Sequence, residues 1–160
     1  MSFAVTDLSD KFGNALRYPT PIFTDFGGVK RFSGCVRTLA TFEDNSLVRK
    51  CVEGPGDGAV LVVDGGGSMS CALFGGNLAK LAAHNGWAGV IINGYVRDSL
   101  ELASEAVGIK ALGTHPKKSE KRDLGTLGVP LNFSGIRINP NDWVYADEDG
   151  IIFSDGPLEL

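Results

Sequence analysis

Residues 62–98 read VVDGGGSMSCALFGGNLAKLAAHNGWAGVIINGYVRD, and the alternation of apolar runs with glycine turns in this stretch decides the fold. Ala59 to Val63 is a short apolar run, as a strand buried on both faces requires. Gly65–Gly66–Gly67–Ser68 breaks it, and Ser70 to Phe74 reads as a second short strand. Gly75–Gly76–Asn77–Leu78 then opens a helix with Asn77 as its cap. Leu78, Leu81 and Ala82 fall on one face over Asn77 to Asn85, and Gly86 ends the pattern. Ala88 to Ile92 is the next buried strand, Asn93–Gly94 a turn pair, and Asp98 to Ala103 a short helix with an acidic start. Strand, helix, strand in this order predicts an α/β domain with parallel strands.

The flanks extend that core. Thr6 to Asn14 has a short helical pattern that Ser9 or Asp10 would start. Arg31 to Phe42 is rich in β-branched and aromatic residues and predicts a strand. Asp44 or Asn45 caps a helix running to about Glu53, with Leu47, Val48 and Cys51 on one face. Gly54–Pro55–Gly56–Asp57–Gly58 is a turn. Ile109 to Thr114 reads as a strand and His115 to Gly128 as a polar loop. Pro130 to Ile138, Trp143 to Ala146 and Ile151 to Ser154 give three further strands, joined at Asn139–Asp142 and Asp149–Gly150. No internal repeat and no linker divides residues 1–160, so one mixed α/β domain is expected.

Composition narrows the function classes. Apolar residues make up 43% and charged residues 21%, which favours a packed core over disorder. The net charge of −4 argues against a nucleic-acid binder, which would carry a basic face. Lys117, Lys118, Lys121 and Arg122 are interrupted by Glu120 and Asp123, and read as a solvated loop. Cys35, Cys51 and Cys71 are odd in number and form no CxxC pair, so buried reduced thiols are expected. No long apolar run suggests a membrane span, and the expected location is cytoplasmic.

Gly65–Ser68 does not fit a dinucleotide loop, because position 70 is Ser70, and it lacks the lysine of a P-loop. A structural turn is the better reading. Gly75–Leu78 offers backbone amides to an anion. Arg97 carries a planar fork that fits a carboxylate. Asp98 supplies a hard oxygen ligand for a divalent cation. Asp98 and Glu101 are three apart and share a helical face, so Glu101 either supports the same cation or is solvated. His84 and His115 have no partner visible in sequence. Trp87, Trp143 and Tyr145 read as core or interface residues.

The stretch above and DWVYADEDGIIFSD (residues 142–155) together resemble the regulator of ribonuclease E activity A family, which is related to metal-dependent 4-hydroxy-4-methyl-2-oxoglutarate aldolases. The similarity runs from about Thr6 to the C-terminus. It implies a swivelling α/β/β/α domain in a ring-shaped homotrimer with sites at subunit clefts. In the aldolase branch Gly75, Gly76, Asn77 and Leu78 would bind substrate, Arg97 would contact the keto acid, and Asp98 would hold Mg²⁺ or Mn²⁺. The expected activity is pyruvate release by a class II-type aldolase, with oxaloacetate decarboxylation through the same enolate and water as proton carrier. Acidic residues of the C-terminal turn, Asp147, Glu148 and Asp149, would reach a neighbour's site or be solvated. The regulatory branch implies another function, a non-catalytic trimer that inhibits an RNA-degrading enzyme. Asp98 favours the aldolase. Gly76 favours the regulator, because many aldolases have an acidic residue at that place.

Overall fold

A computed structural model describes residues 2–160. In chain order the elements are α1 (Val5–Phe12), β1 (Thr24–Asp25), β2 (Phe32–Ala40), α2 (Ser46–Glu53), β3 (Val60–Asp64), β4 (Ala72–Phe74), α3 (Gly76–His84), β5 (Gly89–Val96), α4 (Ser99–Ser104), β6 (Gly108–Thr114), β7 (Thr126–Leu127), β8 (Leu131–Phe133), β9 (Ile136–Ile138), β10 (Trp143–Asp147) and β11 (Gly150–Ser154). The mixed α/β expectation holds. Four local expectations do not. Ser9 and Asp10 lie inside α1, which Ala4 precedes as cap. Asn77 lies inside α3, whose cap is Gly75. Asn93–Gly94 is strand rather than turn. Pro130 to Ile138 is a hairpin turning at Ser134–Gly135, both at positive φ.

The main sheet runs β1-β6-β5-β3-β2-β10-β11, with β4 also on β5 and β7 also on β2. Strands β2, β3, β5 and β6 are parallel neighbours. β2 serves two partners in succession. Its first half, Phe32 to Cys35, pairs antiparallel with β10, and its second half, Val36 to Ala40, pairs parallel with β3. A strand shared in this way lets the sheet curl so that β10 and β11 cover the parallel strands.

Side-chain alternation makes the layers explicit. On β3, Leu61 and Val63 pack toward α2, α3 and α4, against Val48, Val52, Ala79, Ala82 and Leu102. Val60 and Val62 point the other way, to Val144, Ala146, Ile151, Phe153 and the β8–β9 hairpin. Tyr145 and Ile152 face outward again and meet Val5 and Leu8 of α1. Period-two alternation on each strand thus gives helix, strand, strand, helix layers. Each fully buried Leu, Ile, Val or Phe contributes about 1.5–3 kcal/mol through removal from water. The Phe32 ring packs over Gly89 and Gly108, a register pair on β5 and β6, where any Cβ would meet it.

Candidate functional site

Parallel pairing creates the site. β4 lies beside β5 with Phe74 opposite Val96, and the Arg97 amide donates to the Phe74 carbonyl at 2.9 Å. Both strands end there, so Gly75 and Arg97–Asp98 leave the sheet side by side. Ligands in open α/β sheets lie at such carboxyl edges.

Asp98 is the N-cap of α4 and sits in the left-handed region at φ 61°, ψ 47°. Aspartate tolerates that conformation better than most residues. The turn it makes swings its carboxylate over the start of α3. Its Oδ2 accepts the Gly76 amide hydrogen at 3.0 Å. A Cβ on Gly75 would lie 2.8 Å from that oxygen and 3.3 Å from Cγ of Arg97, so the close approach needs glycine there. A Cβ on Gly76 would overlap the carboxylate of Glu101. The amides of Gly76, Asn77 and Leu78 belong to the first turn of α3 and have no intrahelical acceptor. Asp98 takes the first of these. Leu78 is buried in the core, so only its backbone is available to a ligand.

Gly75, Gly76, Asn77, Leu78, Arg97 and Asp98 line one cavity of about 100 Å³. Sequence reasoning had brought these six together. It missed the rest of the lining, to which Ala72 and Phe74 of β4 and the polar residues Asn45, Arg49, Lys118, Ser119 and Lys121 contribute. The basic cluster was expected to be a solvated loop. It is solvated, with Lys117, Lys118, Lys121 and Arg122 all exposed, and Lys118 and Lys121 also border the cavity. Glu101 does not line the cavity, and its carboxylate lies against Gly76 at the start of α3. Arg97 Nη1 reaches the Pro116 carbonyl at 3.4 Å and so touches the same loop.

Asp44 fixes that loop. Its carboxylate is fully buried and accepts the Ser46 amide at 2.9 Å and the Ser46 hydroxyl at 2.5 Å. It also accepts the Arg122 amide at 2.8 Å and the Leu124 amide at 3.1 Å. Burial pushes this carboxyl up, but the Ser46, Leu124 and Arg122 hydrogen bonds outweigh it and lower the pKa to about 2. Ser119 adds a second clasp: its hydroxyl donates to Asn45 Oδ1 at 2.9 Å and accepts the Asn45 amide at 3.1 Å.

Other candidates separate from the site. The Gly65–Ser68 turn is held internally: Asp64 Oδ1 accepts the Gly66 amide and the Asn93 side-chain amide. Ser68 bonds the Glu43 carboxylate at 2.6 Å. Burial raises the Cys71 thiol above its ordinary range. His84 is exposed at the end of α3, and His115 Nδ1 accepts the Lys117 amide. Trp87 is buried and donates to the Gly54 carbonyl. Asp147 is buried, with its oxygens taken by the Val5 and Asp149 amides, so it is not a free acid. A larger groove of about 740 Å³, lined in part by Asp25, Lys110, Glu148 and Asp149, includes none of the α3 or Arg97–Asp98 residues. The smaller cavity is the candidate site, because it brings open helix amides, a guanidinium and a carboxylate together. Among the described residues no three His, Cys, Asp or Glu side chains stand together as a metal cage, and no helix is long and apolar enough to cross a membrane.

Residues 4–153 match the family model described as RraA-like: Aldolase/RraA. The chain belongs to the RraA-like family. Curated relatives from Burkholderia mallei (strain SAVP1) and Burkholderia pseudomallei (strain K96243) are each 55% identical over 99% of both chains, under the name "Putative 4-hydroxy-4-methyl-2-oxoglutarate aldolase". The solved RNA-processing inhibitor RraA of Thermus thermophilus superposes with a TM-score of 0.94 at 48% identity, covering 99% of this chain and 96% of that one. A structure from Geobacillus kaustophilus HTA426 described as S-adenosylmethionine: 2-dimethylmenaquinone methyltransferase gives 0.94 at 44% identity, covering 98% and 97%. RraA-like proteins thus share one fold under three functional names, and the activity must be argued from the site.

Proposed function

We propose that the protein is a divalent-metal-dependent pyruvate aldolase that cleaves 4-hydroxy-4-methyl-2-oxoglutarate and also decarboxylates oxaloacetate. The carrying observation is Asp98, placed beside Arg97 at the open amino end of α3 with one carboxylate oxygen held by the Gly76 amide. The fit to a cation follows from donor chemistry. Oδ1 of Asp98 makes no hydrogen bond among the described residues, and the donors are hard oxygens. Mg²⁺ commonly takes one or two carboxylates and fills its other positions with water and substrate. Asp98 would hold Mg²⁺ or Mn²⁺, with Glu101 as the supporting carboxylate. When bound, the cation polarises the keto group and offsets negative charge in the enolate.

The chain's own groups do the rest. The Asn77 and Leu78 amides and Arg97 bind the carboxylate next to the keto group and fix its plane. The C3–C4 bond of the substrate breaks, and its electron pair moves to the keto oxygen as the C4 hydroxyl loses its proton to water. One pyruvate leaves from C4, and the remaining enolate takes a proton at C3 to become the second. In oxaloacetate the bond to the departing carboxylate breaks instead and yields CO₂ and the same enolate. No lysine Schiff base is required.

The reading includes a ring-shaped homotrimer, as the family resemblance implies, and a cytoplasmic location, as expected from the sequence. Leu100 supports a covering subunit, since it is 88% exposed two residues after Asp98. The deciding assay follows pyruvate release from both substrates with Mg²⁺ or Mn²⁺, and then with chelator. Cation-dependent release is expected, and its absence with either metal overturns the reading.

A second reading is a regulator that binds and inhibits an RNA-degrading enzyme. Gly76, which leaves α3 without its own carboxylate at this place, supports it, as does the name of the Thermus relative. It predicts inhibition of a ribonuclease by a protein that releases no pyruvate.

A further inference from the structure

We infer that Lys118 and Lys121, which line the same cavity as Arg97, form a subsite for the second carboxylate of a dicarboxylic keto acid, and so set substrate preference. The inference rests on the aldolase reading for its chemistry, but its evidence is separate. The cavity is lined by four basic side chains, Arg49, Arg97, Lys118 and Lys121, and by one acidic side chain, Asp98. The chain as a whole is acidic, with net charge −4, so the local excess of positive charge is not a reflection of composition. Arg49 spends its Nε on Glu53 at 2.7 Å. Neither Lys118 nor Lys121 is within 4.0 Å of a carboxylate among the described residues. Lys121 has only a long 3.4 Å hydrogen bond to Asn45 Oδ1.

Both lysine side chains are exposed, and the backbone that carries them is held in place. Residues 115–125 include no helix or strand, and an unanchored loop of that kind would not keep two lysines at a cavity wall. Three attachments fix it. Ala72 of β4 donates to the Lys117 carbonyl at 2.7 Å. Ser119, 6% exposed, clasps Asn45. Asp44 holds the Arg122 and Leu124 amides. Lys118 and Lys121 therefore lie between fixed points on β4 and at the start of α2. A substrate whose keto-acid end lies on Arg97 and the α3 amides would extend its far end toward this wall. A negatively charged far end gains charge-assisted hydrogen bonds there, and a neutral one does not.

The test compares 4-hydroxy-4-methyl-2-oxoglutarate, with two carboxylates, to 4-hydroxy-2-oxopentanoate, with one. The Lys118→Met, Lys121→Met double variant keeps the aliphatic stems and removes the charges. The wild type is expected to prefer the dicarboxylate, and the ratio of the two kcat/KM values should fall about tenfold or more in the variant, mainly through KM. Lys121→Arg should retain most of the preference. An unchanged ratio overturns the inference. Titration calorimetry with 2-oxoglutarate and 2-oxobutanoate separates the two readings, because it requires no turnover. Tighter wild-type binding of 2-oxoglutarate that disappears in the variant supports the subsite even if no pyruvate is released. Equal or undetectable wild-type binding of both ligands refutes it.

Discussion

The Glu101 carboxylate occupies the space that a Cβ on Gly76 would need. Helix α3 begins with glycine where a side chain would displace an acid arriving from α4. The backbone of Gly76 is not at positive φ, so the constraint comes from contact and not from conformation. Gly76→Ala should therefore leave stability within about 1 kcal/mol, because the exposed Glu101 side chain can swing out and alanine favours the helix. Turnover should fall in Gly76→Ala and in Glu101→Ala. The double variant should be no worse than either, as expected when both remove the same carboxylate from the same place. Additive losses in kcat/KM would separate the two positions.

Asp98 has two roles that substitution can split. Asp98→Asn keeps an oxygen for the Gly76 amide and tolerates the left-handed backbone, so thermal unfolding should be nearly unchanged. It loses the charge, and metal-dependent turnover should fall at least about a hundredfold. Asp98→Ala should lose activity similarly and also cost about 1 kcal/mol through backbone strain. Wild-type turnover in Asp98→Asn at low Mg²⁺ would remove Asp98 from the metal site.

Arg97→Lys retains charge but not the two parallel hydrogen bonds of guanidinium to a carboxylate. Substrate affinity should drop about tenfold or more, with KM carrying most of the loss. Unchanged kinetics would reduce Arg97 to its contact with the Pro116 carbonyl.

Much of this fold was legible because it rests on local signals. The apolar runs at Val60 and Gly89 and the helical spacing of Leu78, Leu81 and Ala82 survive in β3, β5 and α3. Asn93–Gly94 misled because pairing overrides a turn dipeptide. The Asn93 carbonyl accepts the Gly65 and Gly67 amides, and β5 continues beside β6 through a register shift. The Ser134–Gly135 turn was present in sequence and is the sort of pair that bends a hairpin, but the apolar run around it reads as one strand. At the site, Gly75–Leu78 and Arg97–Asp98 were legible because each follows a strand. Lys118 and Lys121 were not, since their position depends on Asp44, which lies more than seventy residues earlier in the chain.

Phe32 provides a test of the layer packing. Its ring fills the space above Gly89 and Gly108. An aromatic ring between two strands cannot yield as a flexible chain end does. Gly108→Ala should destabilise the fold by about 1–3 kcal/mol, read as a lower urea midpoint at unchanged m. Adding Phe32→Leu should recover part of the loss by freeing the space. A Gly108→Ala protein as stable as the parent would contradict the observed packing.

Asp44 makes the acid limb of stability specific. Its folded-state pKa of about 2 lies below the ordinary value of 3.8. A lowered carboxyl pKa means that the unfolded chain binds the proton first as pH falls. The stabilisation is therefore fully present above the unfolded value and is lost as pH drops from about 4 to about 2. Asp44→Asn places an amide NH₂ opposite amide donors from Arg122 and Leu124 or from Ser46. It should cost about 2 kcal/mol at neutral pH and flatten the loss between pH 4 and pH 2, measured by urea unfolding across that range. Because Asp44 anchors the loop of Lys118 and Lys121, faster amide hydrogen exchange should accompany the substitution at Arg122 and Leu124. A variant with the parent's acid slope and the parent's exchange at those two amides would show that Asp44 does not hold the loop.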